Sequence, residues 1–229
     1  KQVPVLINYS VGKKRFEKKP DEGDLDLIEQ IEMKRIPYWY PTDELPDGEK
    51  MSDPKNAGIT HVHQFYTKRN LWILGAIWTR FQNLEDTRMT AICQFALTAA
   101  NRLFSRMSKL GTTYYFKGGG GAVNAGLLGT LYVPSFPAEN NVLRTMELRI
   151  QKLHKCMAQI SEQKSVIIAT NSTDDNSSIL SGSIDYIFTD PPFGGNLMYS
   201  ELNFLWEAWL RVFTNNQSEA IVNKVQRKA

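Results

Sequence analysis

Cysteine is scarce: the 229 residues contain two, Cys93 and Cys156, and no Cys-x-x-Cys. That excludes a disulfide-dense scaffold and a zinc ribbon. Both cysteines fall in stretches with helical periodicity, where buried free thiols are expected, and a reducing cytoplasm suits them. Histidine is nearly as sparse, at three residues. His61 and His63 alternate as on a strand with no third ligand nearby, so no metal site is expected. No run is long and apolar enough to cross a membrane. The opening Lys1 leads into nothing like a secretory signal, and without an initiator methionine the chain is expected to be a piece of a longer protein. A strong charge of one sign is also lacking. With 27 basic and 24 acidic residues the net charge is +3, which neither requires nor excludes a nucleic-acid partner.

What is present is 42% hydrophobic residues, enough for one sizeable core or two small ones. "VPVLINYSVGKKRFEKKP" reads as a strand, a turn at Gly12 and a basic return strand. "DLDLIEQIEM" follows as a short helix with Asp24 as its N-cap. From 35 to 60 the chain carries Pro37, Pro41, Pro46 and Pro54, so an extended, irregular connection is expected there. Three helices come next. Thr67 caps the first, whose face is Leu71, Leu74, Trp78 and Phe81. The second, over 85–109, carries the stripe Met89, Ile92, Ala96, Ala100, Leu103 and Met107. The third, over 138–162, lines up Leu143, Met146, Ile150, Leu153, Met157 and Ile160.

The C-terminal part changes character. "SVIIAT" is an apolar β-branched run, "NSTDDNSS" a polar loop and "IDYIFTD" a second apolar run. "YSELNFLWEAWLRVF" then reads as a helix with Leu202, Leu205, Trp206, Trp209 and Phe213 facing inward. This is an α/β pattern, and fully apolar strands imply a parallel sheet. In open α/β sheets ligands bind beyond the carboxyl ends of strands, and Asp190 sits at such an end. Pro191 and Pro192 fix φ and remove two backbone donors, so the turn is rich in acceptors. Phe193 follows at once. Acceptors beside an aromatic ring suit a planar substrate that carries an amino group.

"TDPPF" after a hydrophobic strand resembles the (D/N/S)PP(Y/F) motif of the S-adenosylmethionine-dependent amino-methyltransferases, and with Asp first it looks most like the N6-adenine DNA methyltransferases. "DYIFTDPPFGGNLMYSELNFLWEAWL" is similar to prokaryotic DNA methylases in which a helical insert precedes this motif, and "HQFYTKRNLWILGAIW" resembles part of that insert. The likeness is specific over 165–213 and thinner over the insert. It implies a partial Rossmann-like methyltransferase fold of the α/β class with a helical insert. The expected parts are a strand and loop segment over 1–66, the insert with a glycine-rich hairpin over 67–163, and the catalytic-motif part over 164–229. The implied reaction is methyl transfer to the exocyclic amine of adenine in double-stranded DNA, in a cytoplasmic modification or defence system.

Asp190, Pro191, Pro192 and Phe193 are then the expected catalytic residues. Asp190 and the Pro191 carbonyl hold the amino hydrogens, which turns the nitrogen lone pair towards the sulfonium methyl. Phe193 stacks on a base turned out of the duplex. In the resembled family the end of the preceding strand contacts the cofactor, usually with an acid; here Asn171 and Ser172 occupy it. "FKGGGG" formally matches the cofactor glycine motif FxGxG, but it leaves "LGTTYY" and runs into "GLLG". A hairpin tip is expected instead, with the true glycine motif outside this chain. "GKKRFEKKP" can contact phosphates, and Lys68 and Arg69 at a helix N-terminus hint at an anionic partner. Alternatives within the enzymes are methylation of RNA or of a protein glutamine, which Asp in place of Asn disfavours. The alternative outside them is a non-catalytic DNA-binding piece that keeps the fold.

Overall fold

Side-chain caps set where the helices over Glu22–Met33, Lys68–Gln82 and Thr87–Phe104 begin. The computed structural model describes residues 3–112, 117, 123–124, 126–158, 177, 179–190, 194–195, 197–217 and 221–228. Strands β1 (Ile7–Val11) and β2 (Lys14–Lys18) pair antiparallel with Tyr9 opposite Phe16. Gly12, at the first position of the two-residue loop, has φ +60, the positive value that tight hairpins demand. Helix α1 (Glu22–Met33) starts earlier than expected. Asp21 is the N-cap and accepts from the Asp24 N–H at 3.0 Å, while the Asp24 carboxylate accepts from the Asp21 N–H at 3.0 Å. Asp24 is thus the far half of a reciprocal capping box rather than the cap itself.

The stretch expected to be an irregular connection is the surprise of the fold. It holds a short helix α2 (Ser52–Asn56) and runs on into a single 3-10 turn (Val62–Phe65), the whole forming a strap over 36–66. Met51, Ile59, Val62 and Phe65 in this strap are completely buried, and Ile36 and Leu45 nearly so. Its backbone groups are matched without a regular ladder. The Leu45 N–H donates to the Thr60 carbonyl at 2.8 Å and the Val62 N–H to the Asp43 carbonyl at 2.9 Å, which keeps a buried irregular strap from losing hydrogen bonds.

Helices α3 (Lys68–Gln82), α4 (Thr87–Phe104), α5 (Val142–Ala158) and α6 (Tyr199–Leu210) pack around the strap, with α4 against α3, α5 and α6. Thr67 caps α3 as expected, accepting from the Asn70 N–H at 3.2 Å, and Leu71, Leu74 and Trp78 are buried. On α4 the buried face is Ala96, Leu97, Ala100, Asn101 and Phe104, while Met89 is exposed. Of the expected stripe, Ala96, Ala100 and Met107 are buried and Met89 is not, and Leu97, Asn101 and Phe104 widen the buried face because α4 meets three helices. The α5 stripe is half right: Met146 is buried and Leu153 packs on the core, whereas Leu143, Ile150 and Met157 are exposed. Ile160 lies outside the described residues. Cys156 is exposed, which corrects the expectation of two buried thiols, and Cys93 is half-buried with its thiol pKa pushed up by burial.

Past α4 the pair β3 (Lys109–Leu110) and β4 (Val123–Asn124) is antiparallel. It brackets the glycine-rich segment, of which Gly118 to Gly121 lie outside the described residues. The expected parallel sheet is not present among the described residues, whose ladders are both antiparallel hairpins. Of its two expected strands, 165–170 lies outside them. The other, 184–190, is irregular and exposed along its length, with Tyr186 at 80% and Phe188 at 82% exposure. A run of this composition becomes a strand only when a neighbour satisfies its N–H and C=O groups, and the described residues supply none. No described helix is long and apolar enough to cross a membrane.

Candidate functional site

The Asp-Pro-Pro-Phe stretch follows an exposed run and precedes a deeply rooted helix. Asp190 is exposed at the end of 184–190. Pro191, Pro192 and Phe193, like Asn171 and Ser172, lie outside the described residues, so the structure places only the first member of the expected catalytic set. Gly194 follows with φ +65, a left-handed conformation that favours glycine. Its carbonyl accepts from the Val222 N–H at 3.3 Å, and Gly195 packs beside Val222.

Below this turn α6 enters the core. Met198 at its N-cap is fully buried, as are Leu205 and Trp209 further along. Trp209 sits among aromatic rings: Trp39 edge-on at 5.9 Å, Tyr66 edge-on at 6.0 Å and Trp78 at 5.5 Å. The Trp209 indole N–H donates to the Tyr66 hydroxyl at 2.9 Å, and that hydroxyl donates to Asn101 Oδ1 at 2.5 Å. Burial holds the Tyr66 phenol far above its ordinary pKa, so it stays a neutral donor. Trp206 reaches α4, its indole N–H donating to the Thr98 carbonyl at 2.8 Å. Phe213, expected to face inward, is 46% exposed and lies against Phe204 at 5.2 Å. Arg211 ends the helix at φ 56 and stacks its guanidinium 3.9 Å from the Trp39 ring centre.

Sequence reasoning passed over Glu201. It stands in the first turn of α6 and is 1% exposed. Its Oε1 accepts from the Glu49 N–H at 3.3 Å, Asn223 Nδ2 at 2.5 Å and Gln226 Nε2 at 3.1 Å; its Oε2 accepts from the Lys50 N–H at 2.7 Å. Glu49 Oε1 accepts in turn from the Lys224 N–H at 2.8 Å. An acid inside an otherwise apolar helix face was the available signal, but polar residues near helix N-termini are common enough to hide it.

Other expected features find ordinary partners. Arg69 pairs with Glu139, and Lys68 Nζ donates to the Glu32 carbonyl. His63 lies 5.6 Å from His61 and 6.1 Å from Tyr40, ring to ring. Burial and then the neighbouring His61 lower its pKa. No group of three or more metal-ligating side chains occurs among the described residues. Two surface hollows, one along α1 at Asp26 and Met33 and one between α3 and α5 at Phe81 and Ile150, do not include Asp190 in their walls. No family model, curated protein or solved structure matches the chain.

Proposed function

We propose that the chain carries the catalytic motif of an S-adenosylmethionine-dependent methyltransferase acting on the N6 amine of adenine in double-stranded DNA. The observation that carries this reading is the Asp-Pro-Pro-Phe sequence, whose Asp190 carboxylate is solvent-open. Behind it the chain turns at Gly194 and is rooted by Met198, Leu205 and Trp209. An exposed acid on a rooted loop can meet a substrate without reorganising the core. The fold that goes with this reading is the Rossmann-like α/β domain, in which 184–190, irregular and unpaired among the described residues, becomes the strand that delivers Asp190 once neighbouring strands meet it, with α3 to α5 as the helical insert.

When bound, S-adenosylmethionine supplies an electrophilic methyl group. Asn171 and Ser172 are the residues of this chain proposed to touch it. Asp190 and the Pro191 carbonyl accept the two amino hydrogens of adenine, which localises the nitrogen lone pair. Methylation would leave the amine nitrogen positive, and the Asp190 carboxylate would stabilise that charge and accept the surplus proton. Phe193 stacks on the extruded base, an interaction worth about 1–3 kcal/mol. The β1–β2 hairpin, with Lys13, Lys14 and Arg15 exposed around its turn, is the proposed contact to DNA phosphates. The cytoplasm is the proposed location.

Incorporation of labelled methyl groups into adenine-containing duplex DNA tests the reading. The parent protein should transfer label, and Asp190→Ala should lose at least about a hundredfold in rate, the scale of a general acid–base or charge-stabilising group. Its melting temperature should be unchanged, because the side chain is exposed. Transfer at the parental rate by Asp190→Ala would remove the motif from the chemistry. Label on RNA or on protein glutamine would redirect the substrate. DNA binding without transfer would mark the chain as a non-catalytic DNA-binding piece.

A further inference from the structure

The geometry points to Glu201 as a positioning residue that fixes the loop after Asp-Pro-Pro-Phe. We draw this on top of the methyltransferase reading. A buried carboxylate is costly unless its lone pairs are matched. Among the described residues no cation forms a salt bridge to Glu201. N–H groups from two distant stretches, 49–50 and 223–226, converge on it instead. A carboxyl group offers acceptors on both oxygens, whereas a glutamine would turn an NH2 towards some of these donors.

The two stretches are not incidental to the motif. Asn223 is fully buried and adjoins Val222, whose N–H donates to the Gly194 carbonyl. Gly194 and α6 are the two attachments of the loop that leaves Phe193, and both are tied to the same knot. Gly48 leaves space for that knot: a Cβ there would lie 2.1 Å from the Glu201 Cδ. An alanine at 48 therefore displaces the carboxylate without altering its chemistry. Glu201 touches no substrate in this arrangement. It sets where Gly194 and the start of α6 stand relative to the core, the point from which the motif is anchored, and near-attack geometry is sensitive to shifts of about 1 Å.

Glu201→Gln and Gly48→Ala should each lower kcat for DNA methylation at least tenfold, with KM for S-adenosylmethionine within twofold of the parent. Hydrogen exchange at the Val222 amide should quicken in both. The double variant Gly48→Ala/Glu201→Asp, whose acid is one methylene shorter, should regain part of the lost kcat. The control is Gly75→Ala, where a Cβ would lie 2.9 Å from the Trp39 carbonyl, a group that makes no hydrogen bond to Glu201. It should lower the melting temperature with no comparable fall in kcat. Parental kcat in a folded Glu201→Gln or Gly48→Ala would overturn the inference, as would a kcat loss that Gly75→Ala reproduces. If Glu201→Gln does not fold, Gly48→Ala decides. A parent protein that methylates nothing would sink the methyltransferase reading, and this role with it. An active parent with indifferent variants would sink this role alone.

Discussion

Asn70 and Asn140 illustrate how single polar side chains hold this core together. Asn70 Nδ2 donates to the Phe104 carbonyl at 2.9 Å, and Asn140 Nδ2 to the Leu103 carbonyl at 2.7 Å. These are orphan carbonyls at the end of α4, which an α-helix cannot satisfy for itself. Tyr66 does similar work deeper inside, joining Trp209 to Asn101 through one hydroxyl. Tyr66→Phe removes the donor to Asn101 Oδ1 and the acceptor for the Trp209 indole N–H, both in fully buried residues. Leaving such groups unmatched costs about 1–3 kcal/mol. Urea denaturation of Tyr66→Phe should therefore show a loss in that range with an unchanged m-value. Because replacing both partners by apolar groups is cheaper than orphaning one, Tyr66→Phe/Asn101→Leu should be more stable than the sum of its single changes implies. Strict additivity would mean that the hydroxyl bond contributes nothing.

Elements divide into those that bury a face and those that carry charge outward. The β1–β2 hairpin belongs to the second kind. Its Tyr9 and Phe16 rings stack on each other at 5.6 Å, a cross-strand pair that stabilises the hairpin locally and leaves the basic turn open. Each phosphate contact contributes about 0.9 to the salt slope of binding to duplex DNA. Changing Lys13, Lys14 and Arg15 to Gln should flatten the plot of log binding constant against log salt by about 2–3 units. Folding stability should move by less than about 0.5 kcal/mol, as exposed surface changes do. An unchanged slope would leave the hairpin as a solvated face. The elements also differ in how well their sequences announce them. Helix α3 was legible because Leu71, Leu74 and Trp78 recur at helical spacing and one face meets one core. The strap over 36–66 was not, since Met51, Ile59, Val62 and Phe65 follow no period and prolines suggested surface. Of the candidate site, the Asp-Pro-Pro-Phe stretch on which the proposal rests is visible in the sequence, while the Glu201 knot is not, because its donors are backbone N–H groups and amides 22 to 152 positions away.

The molecule as a whole sets an exposed run beside a firmly held terminus. Residues 184–190 carry Ile184, Tyr186, Ile187 and Phe188 at 52–82% exposure. A run apolar on both alternating faces is what a central parallel strand requires, yet it forms no ladder among the described residues. Local openness of this kind is what proteases read. Chymotrypsin should therefore cut after Tyr186 or Phe188 before it cuts after Trp78, Phe104 or Trp209, all buried to 1% or less. What happens next follows from the packing beyond the motif. The C-terminal piece stays attached through Leu205 and Trp209 in the core, through Trp206 to Thr98, and through Glu201 to the 49–50 turn. Burying a leucine and a tryptophan side chain alone is worth several kcal/mol at about 25 cal/mol per Å2. The nicked protein should accordingly elute from a sizing column as one species and separate into two pieces only in denaturant. Resistance of both sites to cleavage would mean that 184–190 is paired in solution, as the methyltransferase sheet requires. Prompt separation of the pieces without denaturant would mean that α6 is not rooted as these contacts describe.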